Sequence, residues 1–199
     1  MRIKRVLATV LAAAMLLGST LSVSAEVTSP SGGNIPDDAV EEEHSNSNVY
    51  RSDDGKSVLA IDSKKDADGN GVVIPKAVEY VGDGKNPVLV GDNNRITKVR
   101  MRGDVTVKKN AFKKTGVKNI LIHSGATFEK DSLKGVKKVT LKLKNAEAAK
   151  NFKAKGKAGA KKVVVEVSKS DWKKLPASKK KAFKKQVKKL GGKLKLKRG

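Results

Sequence analysis

Asp66, Asp68 and Asn70 alternate through the stretch Asp-Ala-Asp-Gly-Asn-Gly, residues 66–71. This is how a calcium loop offers oxygens from its first, third and fifth positions before turning on a glycine at the sixth. The twelfth position, where the bidentate carboxylate belongs, is Ala77, so the stretch reads as a polar hairpin turn. The chain has two histidines, His44 and His123, and neither sits in a spacing from which a Ser-His-Asp site can be drawn. Both read as solvent-exposed side chains. With no cysteine, thiolate metal sites, cysteine nucleophiles and disulfides are excluded, and no phosphate-cradling glycine loop is present. Catalysis, metals and cofactors are therefore not expected.

The chemistry that remains is charge. Residues 26–94 hold 6 Lys and Arg against 14 Asp and Glu, a net of −8, whereas residues 95–199 hold 35 against 6, a net of +29. Clustered cations release counterions from a polyanion, so the partner surface belongs to the second half. Of its 35 basic residues 31 are Lys, and most of its few aromatics fall on periodic apolar positions. It therefore lacks the exposed stacking rings of a single-strand binder, and nucleic acid is not the expected partner.

The first 25 residues place Arg2, Lys4 and Arg5 before an apolar run from Val6 to Leu17, and Val23-Ser24-Ala25 follows. That is the pattern of a cleaved secretory signal peptide (1–25), with no transmembrane segment expected after cleavage. Residues 26–48 are rich in Ser, Pro, Gly, Asn and acids and read as an acidic disordered spacer. Residues 49–94 carry the short apolar runs Ser57–Ile61, Gly71–Pro75, Ala77–Val81 and Pro87–Val90 between turn formers, an N-terminal β segment.

From 95 to 167 an apolar-x-x-apolar-x-apolar pattern recurs as Ile96, Val99, Met101, as Val117, Ile120, Ile122, as Val136, Val139, Leu141, and as Ala160, Val163, Val165. Successive starts are 21, 19 and 24 residues apart, and Phe112, Leu133 and Phe152 each follow thirteen residues after a middle position. Each unit reads as a short strand, a turn and a return segment. One such unit cannot bury both its strand and its anchor, so stacking is required. The last stretch, 168–199, places Phe183, Val187 and Leu190 at helical spacing between Pro176 and Gly191, then alternates Leu194 and Leu196. A helix and a strand that cap the stack are predicted there.

The stretch Ile96–Ile122, its Asn110-Ala111-Phe112 segment, the upstream Val72–Val81 and the lysine-rich ending resemble the BspA-like leucine-rich repeats of exported bacterial proteins, over about residues 57–199. The resemblance implies a stacked parallel strand face and a secreted or cell-surface role in adhesion or recognition, without catalysis. The expected fold is thus mostly β: a short leucine-rich-repeat solenoid of stacked parallel strands with a C-terminal helix-strand cap. Lys98, Arg100, Asn119, Leu121, Lys138 and Thr140 lie between the inward anchors and are the candidate binding residues. The expected partner is an anionic wall polymer or glycan, or a surface protein. A basic coat for the cell envelope with no specific ligand is the alternative.

Overall fold

The protein is described by a computed structural model over residues 27–28, 34–35, 40–43, 47–63, 71–90 and 95–198, with side chains described for 49–62, 71–90 and 95–198. In chain order the elements are β1 (Val27–Thr28), β2 (Asn34–Ile35), β3 (Val40–Glu43), β4 (Ser47–Arg51), β5 (Ser57–Ser63), β6 (Gly71–Ile74), β7 (Tyr80–Val81), β8 (Leu89–Val90), β9 (Lys98–Met101), β10 (Asp104–Val107), β11 (Asn119–Ile122), β12 (Gly125–Phe128), β13 (Val139–Leu143), α1 (Ala146–Lys150), β14 (Phe152–Ala154), β15 (Val163–Ser168), α2 (Lys169–Lys174), α3 (Ala177–Leu190) and β16 (Gly192–Lys197). The proposed signal peptide, His44 and the calcium-loop look-alike Asp66, Asp68 and Asn70 lie outside the described residues.

Four successive coils each give one strand to each of two sheets. The first sheet runs β14-β12-β10-β7-β5-β4-β3 with β8 beside β5, and the second runs β16-β15-β13-β11-β9-β6. Every pair within the second sheet is parallel, as stacking of like coils requires. Alternate residues point inward, so Val99, Met101, Ile120, Ile122, Leu141 and Leu143 from the second sheet meet Val105, Val107, Ala126 and Phe128 from the first in one core. A mostly β solenoid of stacked parallel strands, ending in a helix and a strand, is what forms.

The segment expected as a return is itself a second strand: β10 and β12 leave the corners at Gly103 and Ser124 and pair in parallel. A tight turn follows each. Asn110 and Asp131 take left-handed backbone there at φ 63° and 60°, which these residue types tolerate better than most. The side chains of Phe112 and Leu133 are then fully buried beside one another's coils. At the next turn the Leu133 N–H donates to the Ala158 carbonyl at 2.8 Å. Ala158 thus lies beside Leu133 in the place where Phe152 was expected.

Phe152 instead sits on β14 opposite Ala126. It does so because the five residues of α1 are inserted between β13 and β14. Its ring lies 5.9 Å from Phe128 and 5.5 Å from Phe183, and Phe183 lies 5.9 Å from Trp172. This aromatic chain carries the core from the last coil into α3.

The third unit of the repeat also needs correcting, by two residues. Ile120 pairs with both Val99 and Leu141, and Ile122 with both Met101 and Leu143, so Leu141 and Leu143 continue the rungs expected of Val139 and Leu141. The cause is the corner. Lys114 and Gly135 occupy matching left-handed positions, φ 55° and 79°, and the Lys114 N–H donates to the Lys134 carbonyl. From there the chain takes three residues to reach the buried Val117 but only one to reach the buried Val136. Both valines enter the core, at different steps of the path.

The first helices are short and side-chain capped: Asn145 accepts from the Ala148 N–H, and Ser168 from the Asp171 N–H. The expected cap helix is α3, which buries Phe183, Val187 and Leu190 and ends on Gly191 in left-handed backbone. The strand expected after it is β16, paired in parallel with β15 over six residues. At the other end, β1 pairs antiparallel with β2 and β3 with β4, so the segment expected as a disordered spacer contributes three strands, of which β3 joins the first sheet. Its Val-Glu-Glu-Glu sequence has no alternation for a pattern to find, because an edge strand is held by its main-chain ladder and is often charged. Two of the expected N-terminal strands shrink to two residues each, β7 and β8.

Two side chains test how the coils are held. Ser132 is fully buried with no hydrogen-bond partner for its Oγ, one period after the buried Ala111. Ser132→Ala should raise stability by about 1 kcal/mol in urea denaturation, since an unpaired buried hydroxyl is removed. Glu129 accepts from the Lys109 N–H at 3.1 Å and from Lys155 Nζ at 3.2 Å, tying three coils together. Desolvation works to raise its pKa, but these two partners and the Lys108 charge outweigh it and hold the carboxyl below its usual range. A depressed folded pKa means the contribution is present above the unfolded value of about 4.3 and lost as pH falls through the folded value. Glu129→Gln should therefore cost about 0.5–1 kcal/mol at pH 7 and nothing measurable near pH 2.

Candidate polyanion-binding face

The outward side chains of the second sheet are set by the same register that builds the core. One rung carries Lys98, Asn119 and Thr140, and the next carries Arg100, Leu121 and Lys142. Beyond the strand ends the ladder continues: Arg102, His123 and Lys144 donate their N–H groups to Ile74, Met101 and Ile122 of the preceding coils. These three residues therefore form a third rung. Neighbouring strands lie about 4.8 Å apart, so in the second and third rungs two cations flank Leu121 and His123 at that spacing.

Of the six residues expected to bind, five fall on these rungs. Lys138 is the exception. It precedes β13 and lies in the corner, a consequence of the two-residue shift in the third unit. Thr140 and Lys142 take the positions that the shifted repeat had assigned to Lys138 and Thr140. The 21-residue offset from Arg100 through Leu121 would have found Lys142 directly.

The face has little negative charge. Its outward carboxylate is Glu166, only 8% exposed, with Lys197 Nζ at 3.1 Å and Lys195 Nζ at 3.9 Å. Arg100, Arg102, Lys142 and Lys144 make no ion pair among the described residues. At the other end of β11 and β13 a shallow groove of about 620 Å³ opens between the two unlike corners. Lys114, Lys118, Lys137 and Lys138 line it together with Asn119 and Thr140.

His123 is not the solvent-exposed residue its sequence context suggests. It is half-buried, and its Nε2 is enclosed without a hydrogen-bond partner. Burial, then the charges of Arg100, Lys144 and Arg102, pull its pKa below 6.5. It is therefore neutral at pH 7, at the centre of a cationic ring. No pattern in the sequence distinguishes it from an exposed histidine, because only the rung brings those three cations around it.

Fold and face together define the chain as a two-sheet parallel β-solenoid with a cationic strand face. No protein family, no curated protein and no solved structure matches it. Among the described residues no group of His, Cys, Asp and Glu is placed to hold a metal, and no helix is long and apolar enough to cross a membrane.

The electrostatics of the face can be read from one ring. In an NMR pH titration, His123 should protonate below 6.5, and Arg100→Gln should shift its midpoint upward, because removing a neighbouring positive charge favours the imidazolium. A midpoint at or above 6.5, unmoved by the substitution, would show that the cations do not act on it.

Proposed function

We propose that the chain is an exported, non-enzymatic repeat module of the BspA-like kind, which associates with anionic polymers at the cell surface through the outward face of its second sheet. The observation that carries this reading is the set of unpaired cations, Arg100, Arg102, Lys142 and Lys144, held on adjacent rungs. Opposite charges set directly across a sheet stabilise it, by about 0.2–1 kcal/mol per pair, and like charges do the reverse. Lys142 has Glu166 opposite it on β15, but Arg100, whose neighbours are Val73 and Leu121, and Arg102 and Lys144 beyond the strand ends have no acid across the ladder, and these three are fitted to charge brought from outside. An anionic wall polymer or glycan supplies that charge as a repeating array. The export half of the reading rests on the first 25 residues and is tested by N-terminal sequencing of protein recovered outside the cell.

The envelope-coating alternative differs in one respect. It makes every lysine equivalent. Binding of the protein to purified wall teichoic acid, sulfated mucin glycan and DNA across a salt titration separates the two. Arg100→Gln with Lys142→Gln should lower affinity for the preferred polymer about tenfold at 0.1 M salt and reduce the slope of log K against log salt by about two. The charge-matched pair Lys179→Gln and Lys188→Gln on the exposed side of α3 should change little. Equal losses from both pairs would favour the coat and remove the specific face.

A further inference from the structure

We infer that Arg100, Arg102 and Lys144, set around His123, form a discrete binding site for a phosphate or sulfate ester group, at one end of the cationic face. This deepens the reading above and rests on it. Several observations place the site here rather than elsewhere on the face. The third rung brings Arg102 and Lys144 to either side of His123, and Arg100 lies one rung away on the same strand as Arg102. The loop carbonyls nearby are already engaged: Ser124 Oγ donates to the Arg102 carbonyl at 2.7 Å, and Asn145 Nδ2 donates to the His123 carbonyl at 2.9 Å. These bonds hold the main chain on both sides of the ring. The site is pre-organised at its backbone and unsatisfied at its side chains.

No carboxylate of the flanking coils offsets the three cations. Glu147 is taken by Lys150 at 3.6 Å and Asn151 Nδ2 at 2.9 Å. Asp104 belongs to the first sheet and lies against Gly125, where an added Cβ would stand 2.6 Å from its Oδ1. Glu166 is held by Lys195 and Lys197. Lys142, from the following coil, stands opposite Glu166.

The charge count selects the ligand. A lone carboxylate cancels one of the three charges, whereas a phosphate monoester carries nearly two and a densely sulfated chain presents several close together. Arginine also offers a planar fork that grips two oxygens of a phosphate or sulfate group at once. His123 gives the site a proton linkage. Its neutral state is held by burial and by the same cations that an anion would neutralise, so occupancy raises its pKa. Because the bound form then takes up a proton more readily than the free form, affinity for an anion of fixed charge, such as a sulfate ester, rises as pH falls from 7.5 towards 5.5.

The test follows the His123 ring by NMR while the protein is titrated with inorganic pyrophosphate, with a sulfated disaccharide and with the same disaccharide carrying only carboxylate. Pyrophosphate or the sulfated sugar should raise the His123 midpoint, and the sulfated sugar, whose charge is fixed over this range, should bind several-fold more tightly at pH 5.5 than at 7.5. The carboxylate sugar should do neither, and the stronger of the first two identifies the ester. Arg102→Gln or Lys144→Gln should weaken that binding about tenfold, while Lys179→Gln should leave it unchanged. His123→Gln should retain binding at pH 7.5 and lose the pH dependence. A His123 midpoint unmoved by either ester, with teichoic acid or mucin glycan still bound at low salt, overturns this site and leaves the broader face standing. If no polyanion binds at all, both fall together.

Discussion

The structure depends on one constraint: adjacent coils must repeat the same path, so that each inward side chain lands beside its counterpart one coil away. With no cysteine in the chain, nothing covalent enforces this. It is enforced by burial. Val99, Ile120 and Leu141 stand side by side at essentially zero exposure, as do Val107 and Phe128 on the opposite wall. Sliding one coil by a single residue would turn its whole inward set to solvent, because side chains alternate with period two. At roughly 1.5–3 kcal/mol for each large apolar side chain, such a slip costs more than a domain's whole margin of stability. Length differences are consequently placed outside the strands, in the inserted α1 and in the α2–α3 segment between β15 and β16.

That constraint also explains which parts of the architecture were readable from the residues. The core was legible because Ile96, Val99, Met101, Val117, Ile120, Ile122, Leu133, Val139, Leu141, Val163 and Val165 are buried, as their spacing requires. The register of the third unit was not. Val136 and Val139 are apolar and buried too, so a pattern of apolar residues accepts them as readily as the true rung members Leu141 and Leu143. What separates the choices is the backbone of the corner, where Lys114 and Gly135 share a left-handed conformation that side-chain periodicity does not record. The second strands were hidden for a related reason. Asp-Val-Thr-Val and Gly-Ala-Thr-Phe are short, and their small or polar members lie outward or against a neighbouring coil.

A mistake of two residues in register is harmless for the core and consequential for the face. It preserves which side chains point inward, so the fold class survives it. It changes which outward residues are neighbours, and so it placed Lys138 and Thr140 where Thr140 and Lys142 stand. His123 was hidden for a separate reason: its character comes from the residues on either side of it in the rung and not from its own sequence neighbours.

The excess of lysine does not follow from the needs of the fold. The stack is closed by apolar contact, with α3 and the ring series of Phe128, Phe152, Phe183 and Trp172 at one end. Lysines along β16 guard a free edge, where charge discourages pairing with another chain. That role accounts for Lys193, Lys195 and Lys197, two of which also neutralise Glu166. It does not extend to Arg100 and Lys142, which stand on interior strands already paired on both sides, or to Arg102 and Lys144 just beyond the ends of those strands. Those positions have no edge to protect, and alternating acids there would have relieved repulsion without disturbing a single inward contact. Repulsion among Arg100, Arg102 and Lys144 is relieved by no acid of their own rungs, and an anion laid across them would relieve it.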